Sequence, residues 1–547
     1  MKKRRTSAKK PSATSELAEP SRLGALFGDR RWVYWIPIVG ILWVWLSSLS
    51  FLPVPWPDDS AFYFPAKDLF SWPPRWVMIP QAPFEPSYRE WNFNTMPLFP
   101  ILIGLARAIG IDGSHALKLL PLGGWLAGIL FLLRSFRRGG ASALFLVGAA
   151  LALSLEPILR WSSVLIRPES LIGALGVFIL FGYRFGWPDR FRERKFFHPV
   201  ALALAAGAYL HFNAIHLVPI VLVLYFGEWK KIFKIGALTA AALVPWLLTI
   251  AFRPSLFLEQ MALQFSRLSG FHNPWLSTWN DFTKALLADM GTPEAWGEEY
   301  RTAILLMLLA IPFLVGLTAM AVRKGRRAEL AGLVWLLSAS YLWHTKAEVW
   351  FTHFMHLAYW SWALLVLFEY RESARIRLGA AVFPVCVSAF FAYGQIGQTI
   401  RLEASETWHW STYAKWVDCI DSFLVEEHAK RGSPEVFRVW DPTFPDITIA
   451  LSRRHPKWEF TRTNDFYDRA DLAVRHGFDV DAMVVTEVFR MNDLEFRGNL
   501  AERPQSRSVW MDWDSYFLNR LERDPKFKPN RKLCQLGRWD AFIYMNP

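Results

Sequence analysis

Residues 198–227 read HPVALALAAGAYLHFNAIHLVPIVLVLYFG. Whether this stretch crosses a membrane once or twice sets the orientation of everything after it. The polar step His211, Phe212, Asn213 divides it into two short helices, 198–211 and 213–227. A crossing of about 30 Å of hydrocarbon takes about 20 predominantly apolar residues. Working outward by that criterion, the other candidate spans are 32–55, 115–133, 142–158, 168–183, 235–252, 302–322, 328–343, 350–368 and 378–397, which makes eleven in all. The stretch 97–111 is apolar over only about fifteen residues. It reads as an in-plane or re-entrant segment on the outer face, where burial in protein can satisfy its backbone.

Short cytoplasmic loops carry an excess of Lys and Arg, so charge tests the parity. With eleven helices the inner segments are 1–31, 134–138 (RSFRR), 184–195 (RFGWPDRFRERK), 228–234 (EWKKIFK), 323–327 (RKGRR) and 371–377 (RESARIR). They hold 27 Lys and Arg, against 12 in all other residues before 401. Were 198–227 a single helix, RKGRR and RESARIR would face outward. The tail 1–31 has neither the short apolar core nor the cleavage site of a signal peptide, so it is expected to be a retained cytoplasmic tail that acts as an orientation signal. An odd number of crossings then leaves the residues after 400 outside.

The chain has 547 residues, 53% apolar and 20% charged, with a formal net charge of +13. That hydrophobicity excludes a disordered chain. Its Lys and Arg lie in short clusters between apolar runs rather than on one soluble face, which argues against nucleic acid as a partner. The expected fold class is an all-α polytopic membrane domain over 32–400, with outer loops at 56–97 and 253–300, followed by a C-terminal α/β soluble domain over 401–547. The last segment carries 22 Lys and Arg against 24 Asp and Glu. Its expected strands are Val436–Trp440, Lys457–Phe460, Ala482–Glu487 and Ala541–Met545, with helices near 446–454, 467–477 and 513–523. Cys386 falls within the last span, whereas Cys419 and Cys534 lie in the outer segment. The latter two would form one disulfide in an oxidising compartment, or remain two free thiols.

The first outer loop opens WPDDSAFYF at 56–64. Long aromatic loops are usually functional. Asp58 and Asp59 stand at the membrane boundary, within reach of a lipid head group, where a carboxylate can serve as general base for a hydroxyl nucleophile. Two acids after a proline also cap a short helix. At the start of the fourth span, LRWSSVLIRPESL places Arg167 and Glu169 around Pro168, either as a site at membrane depth or as a salt-bridged helix start. His211, Asn213 and His216 occupy an outer turn that reads more readily as structural. The stretch HTKAEVWFTHFMHLAYW, 344–360, supplies Lys346, His353 and His356. The two histidines share a helix face but lack an evident third metal ligand, so a cation cluster for an anionic head group fits better, with solvated charges among interface aromatics as the plain alternative. In the loop 253–300, Trp275, Trp279 and Trp296 lie beside Asp281, Glu294, Glu298 and Glu299, a pattern suited to sugar or lipid.

Together these features resemble the polytopic C-type (GT-C) glycosyltransferases, in particular the protein O-mannosyltransferases and the bacterial aminoarabinose and related transferases that use polyprenyl-phosphate sugars. The shared order is a basic inner N-terminus, a first helix ending in an acidic pair, a long outer loop with in-plane helices, ten or so further spans and an outer soluble domain. Asp58, Asp59 and Tyr63 look like that family's acidic pair and following aromatic. MPLFPILIGLARAIG at 96–110 is similar to its in-plane helix, RPES at 167–170 to the acidic opening of its fourth span, and 436–463 to a segment of its outer domain. Two positions depart from the pattern. Thr95 and Met96 stand where some members have Lys, and Val349 and Trp350 follow Lys346 where Arg-Tyr is usual.

The resemblance implies an inverting displacement in the plasma (inner) membrane. Asp58 takes the proton of an acceptor hydroxyl, the oxygen attacks the anomeric carbon, and polyprenyl phosphate leaves. Lys346, His353 and Arg167 would stabilise the developing phosphate charge, and Asp59 would orient Asp58 or bind the sugar. Protein cations suffice for such a leaving group, so no cofactor is required, although a divalent ion near Asp58 and Glu169 is compatible with the residues. Partners would be the polyprenyl-phosphate sugar, membrane lipids and a lipid, glycan or protein acceptor. A transporter or flippase of lipid-linked sugars is the rival, but no pair of broken helices in two related halves is evident. A membrane-anchored scaffold, to which Asp58 would be dispensable, is a third reading.

Overall fold

The computed structural model describes residues 31–47, 59–69, 91–266 apart from 92, 94, 157, 158, 161, 162 and 192, then 298–346, 350–403 apart from 374 and 375, 410–431, 437–440, 447–461, 481–486, 531–536 and 539–545. Asp58, the residues before 31 and the proposed helices at 467–477 and 513–523 lie outside them.

The first helix, α1 (Trp35–Ser47), is followed by two short helices, α2 (Asp59–Leu69) and α3 (Leu98–Ala108). Helix α3 occupies the stretch expected to lie in plane. It buries Phe99, Ile103 and Ala106 while Leu105 is exposed, the one-sided pattern of a surface helix. Helices α4 (Leu119–Arg138), α5 (Ala143–Leu155) and α6 (Glu169–Phe185) come next. Helices α4 and α6 pack closely because Gly124 and Gly128 carry no side chain there. A Cβ at Gly124 would lie 2.8 Å from Leu171 Cδ2 and 3.0 Å from the Leu171 Cα, the small-residue contact that membrane helices favour.

The stretch 198–227 does divide where its polar step lies. Helix α7 (Pro199–Leu210) ends there, a 3-10 segment covers Phe212–Leu217, and α8 (Val218–Leu224) follows. Two imidazoles hold the breaks. His198 Nδ1 accepts from Val200 N at 3.2 Å, and His211 Nδ1 accepts from Asn213 N at 3.2 Å, each satisfying a backbone donor that a helix start leaves open. His211 is thus a capping residue, in keeping with the structural reading of this turn.

The helical body continues through α9 (Trp229–Phe252), α10 (Pro254–Ser266), α11 (Glu298–Arg323), α12 (Arg327–Lys346), α13 (Trp350–Glu369) and α14 (Arg377–Glu403). Several of these run a few residues beyond the apolar spans, since helices extend past the hydrocarbon-like run into polar flanks. Among the described residues, Ser114–Arg138, Trp229–Phe252 and Leu305–Arg323 are long and apolar enough to cross a membrane by length and composition. Shorter apolar helices lie at Arg31–Leu46, Leu98–Ala108, Ala143–Leu155, Pro199–Leu210, Phe212–Leu224, Phe354–Glu369 and Leu378–Gly394.

The C-terminal segment opens with α15 (Trp410–Lys430) and builds a five-stranded sheet. Its strands are β1 (Arg438–Trp440), β2 (Glu459–Thr461), β3 (Ala482–Thr486), β4 (Arg531–Leu536) and β5 (Trp539–Met545), in the order β2-β1-β3-β5-β4. Strand β1 runs parallel to β2 and β3, whereas β5 is antiparallel to both β3 and β4. The crossover from β1 to β2 carries the short helix α16 (Thr448–Arg454). Helix α15 packs on β4 and is joined to it by a disulfide between Cys419 and Cys534, whose Cα atoms are 6.0 Å apart. This closes a loop 115 residues long. Cys419→Ser is therefore expected to destabilise this segment by roughly 2–4 kcal/mol. Denaturant melts should show the difference from wild type in oxidised samples and lose it once both proteins are reduced.

Candidate functional site

Asp59 begins α2, where a carboxylate is favoured by the unsatisfied N–H groups of the first turn. It is 1% exposed, and its Oδ1 accepts a hydrogen bond from Ile166 N at 3.0 Å. Lys118, also 1% exposed, stands close enough for its ammonium to be attracted by the Asp59 charge. Helix α2 is thereby held to the segment that precedes α6, with the Lys118 charge nearby at the start of α4. Nothing in the apolar pattern singles out Lys118; its signal is a single cation at the mouth of a long apolar run, which is costly unless it is met by an acid or by substrate.

Ile166 is followed by Arg167, which turns back onto Glu169. Arg167 Nε and Nη2 donate to Glu169 Oε1 at 3.0 and 2.8 Å, with both residues buried. This is the salt-bridged helix start that the sequence offered as one of its two readings, withdrawn from solvent. Ser170 Oγ donates to Pro121 O at 2.7 Å, tying the same turn to α4. The Arg167 guanidinium lies 5.8 Å from the Phe62 ring centre, and that ring lies 6.4 Å from the ring of His211. Asp59, Phe62, Arg167, Glu169 and His211 therefore belong to one neighbourhood. Glu169 Oε2 has no hydrogen-bond partner among the described residues and remains able to accept one.

Tyr63 is four residues beyond Asp59, on the same face of α2. Its hydroxyl donates to Asp112 Oδ1 at 3.3 Å, and the Arg107 guanidinium sits 4.6 Å from its ring centre. Burial, reinforced by the Asp112 charge and opposed by Arg107 and Arg453, pushes the phenol up to about 12, so it stays a hydrogen-bond donor at neutral pH.

His356 lies deeper in the bundle. It is 1% exposed and hydrogen-bonds Glu156, with 2.7 Å between Nδ1 and Oε1. Glu156 ends α5, and its other oxygen accepts from Leu159 N at 2.5 Å. The ring of His216 packs 4.3 Å from that of Phe354 and hydrogen-bonds Asn213 O at 2.5 Å. His356 was expected to join a cluster of cations; the structure pairs it with the buried Glu156. The Lys346 and His353 side chains and Asp58 lie outside the described residues, as do Trp275, Trp279, Asp281, Glu294 and Trp296. Among the described residues no group of three or more His, Cys, Asp or Glu is arranged to hold a metal ion.

No protein-family model matches the sequence, and no curated protein matches it. Solved structures do match. ArnT from Cupriavidus metallidurans bound to undecaprenyl phosphate aligns over 94% of this chain and 98% of its own, at 12% identity and a TM-score of 0.51. Its apo form aligns over 96% and 98%, at 14% identity and a TM-score of 0.53. ArnT is an aminoarabinose transferase of the GT-C class. The chain thus shares the mostly helical fold of ArnT over nearly its whole length.

Removing one member of a buried ion pair leaves the other uncompensated. Glu169→Ala is expected to cost about 3–5 kcal/mol, while replacing Arg167 and Glu169 together by apolar residues of similar volume should cost less than that single change. Thermal unfolding of the purified protein in detergent micelles would compare them.

Proposed function

We propose that the protein is a membrane glycosyltransferase that moves a sugar from a polyprenyl-phosphate donor to an acceptor hydroxyl at the outer face of the membrane, in an inverting displacement. The observation that carries the reading is the fold, shared end to end with ArnT, whose structure holds undecaprenyl phosphate. The acidic start of α2 and the Arg167–Glu169 turn, brought together at one place, give that fold a site able to hold charge.

Asp58 serves as the base. It accepts the acceptor's hydroxyl proton while the oxygen forms its bond to the anomeric carbon and the bond to the lipid phosphate breaks. A base must have a lone pair available within hydrogen-bond reach of that proton. Asp59 is engaged by Ile166 N and by the Lys118 charge, which suits it to positioning the segment rather than to proton transfer. Lys346, His353 and Arg167 are the cations assigned to the leaving phosphate, and a monophosphate needs no metal to leave against them. Tyr63, Glu169 and His356 complete the substrate-facing set. Of these, Glu169 is supported by its open oxygen.

In this reading the chain crosses the membrane eleven times, with the N-terminus in the cytoplasm and the sheet-bearing segment outside. The Cys419–Cys534 disulfide agrees with that side, because oxidising compartments preserve such bonds. After reduction, an impermeant thiol reagent should label Cys419, the half-buried member of the pair, from outside intact cells; labelling from the cytoplasmic side alone would reverse the topology.

Asp58→Asn is expected to abolish transfer from a polyprenyl-phosphate donor while the protein remains folded and inserted. Full activity in that variant would remove Asp58 from the mechanism. Absence of transfer by wild type from any such donor would remove the enzymatic reading.

A further inference from the structure

Asp112, just past α3, gathers groups from three parts of the chain. The Tyr63 hydroxyl of α2 reaches Oδ1 at 3.3 Å, and Arg107 Nε of α3 reaches the same oxygen at 3.2 Å. Arg453 of α16, in the C-terminal segment, brings its Nε to 3.4 Å from Oδ2. Gly113 N also donates to Oδ1, at 2.8 Å. The next position is built for the approach. Gly113 has φ +94, and a Cβ there would lie 2.5 Å from Arg453 Nη1, so a larger residue would both strain the backbone and displace the guanidinium.

Arg453 is held from behind. Its neighbour Arg454 reaches Asp418 at 2.6 Å and Asp421 at 2.8 Å, both on α15. His455 hydrogen-bonds Asp421 at 2.6 Å and stacks on Trp458 with ring centres 3.9 Å apart. Helix α16 is therefore braced against α15, and it also packs against α2. The contact at Asp112 is partly open to water, with side-chain exposures of 28% for Asp112 and 48% for Arg453. Pairs so exposed contribute little to stability. What this one can contribute is position.

Helix α2 is held at two points on one face, Asp59 on Ile166 N and Tyr63 on Asp112. Two such points fix the rotation of a helix about its axis. We propose that Asp112 is a positioning residue through which docking of the C-terminal segment sets the placement of α2, the helix whose first turn follows directly on Asp58. The proposal rests on the glycosyltransferase reading for its catalytic consequence, not for the clamp itself. Small displacements of a reacting group are expensive, an ångström costing up to about a hundredfold in rate.

The test uses the full-length protein in proteoliposomes, with Arg453→Gln, Arg453→Lys and Asp112→Asn. Two quantities are measured: backbone hydrogen exchange over 59–69, and steady-state sugar transfer from a polyprenyl-phosphate donor. Arg453→Gln and Asp112→Asn are expected to raise exchange over 59–69 by about threefold and to lower kcat by about tenfold, with donor KM within about twofold of wild type. Arg453→Lys, which keeps the charge, should recover most of both. Exchange in the β4–β5 hairpin should stay at its wild-type level. Were Arg453→Gln to loosen that hairpin, Asp112→Asn, which leaves the C-terminal segment untouched, decides. Wild-type exchange over 59–69 in Asp112→Asn overturns the clamp. Raised exchange with unchanged kcat overturns its role in positioning. If wild type transfers no sugar, the exchange result still tests the clamp, so the two readings fail separately.

Discussion

A charge drawn into a low-dielectric bundle must be met there by an opposite charge or by oriented hydrogen bonds, or it will not stay ionised. Several charged residues of this helical body obey that constraint. Asp59 faces Lys118 and Ile166 N, Arg167 folds onto Glu169, and Glu156 bonds His356 and Leu159 N. At the cationic side, Arg184 reaches Glu369 at 2.8 Å and Glu329 at 3.6 Å, and Arg326 reaches Glu369 at 3.1 Å. The Asp59–Lys118, Glu156–His356 and Arg184–Glu369 pairs join segments that apolar contact alone would leave free to slide, whereas Arg167–Glu169 secures a single helix start. The ion pairs thus act as registration marks among surfaces that are otherwise interchangeable.

The helical part of the fold was legible because apolar runs and their interruptions are local signals. His211 and Asn213 interrupt one such run, and the chain breaks there because an imidazole can cap the new helix start. Strands β1, β2, β3 and β5 were legible for the same reason, being short, branched or aromatic, and bounded by polar turns. Helix α15 and strand β4 were not. In α15 the apolar residues Tyr413, Trp416, Val417, Ile420 and Leu424 share one face and alternate with charge, so no continuous run marks it. Strand β4, RKLCQL, bonds only β5 among the described residues and closes one edge of the sheet there, and edge strands carry charge that disguises them.

Apart from the Arg167–Glu169 pair, the site was legible only on one side of each contact. Asp59, Arg167, Glu169 and His356 stand out as polar residues beside apolar helices. Three of their partners, Lys118, Ile166 and Glu156, lie 59, 107 and 200 positions away or offer only a backbone N–H. Spacing along the chain carries no information about such pairs; the packing of α4, α6 and α13 does. Asp112 and Arg453 were hidden for a further reason. Each is an unremarkable charge near a loop, and only their meeting across 341 positions gives them a role.

The acidic pair at the first loop acquires a sharper meaning from these contacts. Two adjacent carboxylates repel when both are ionised, and burial worsens the repulsion unless one of them is neutralised by its surroundings. The surroundings of Asp59 do this, since an N–H and an ammonium address it. In the proposed reading, compensating one charge lowers the cost of ionising the adjacent carboxylate, which is the condition a general base must meet. Exchanging the two roles would require Asp59 to give up the bond that holds α2 to the Arg167 turn, and proton transfer would then loosen the scaffold that positions it. The proposed division, one acid fixed and one acid working, is the arrangement that lets the carboxylate change protonation without moving the helix.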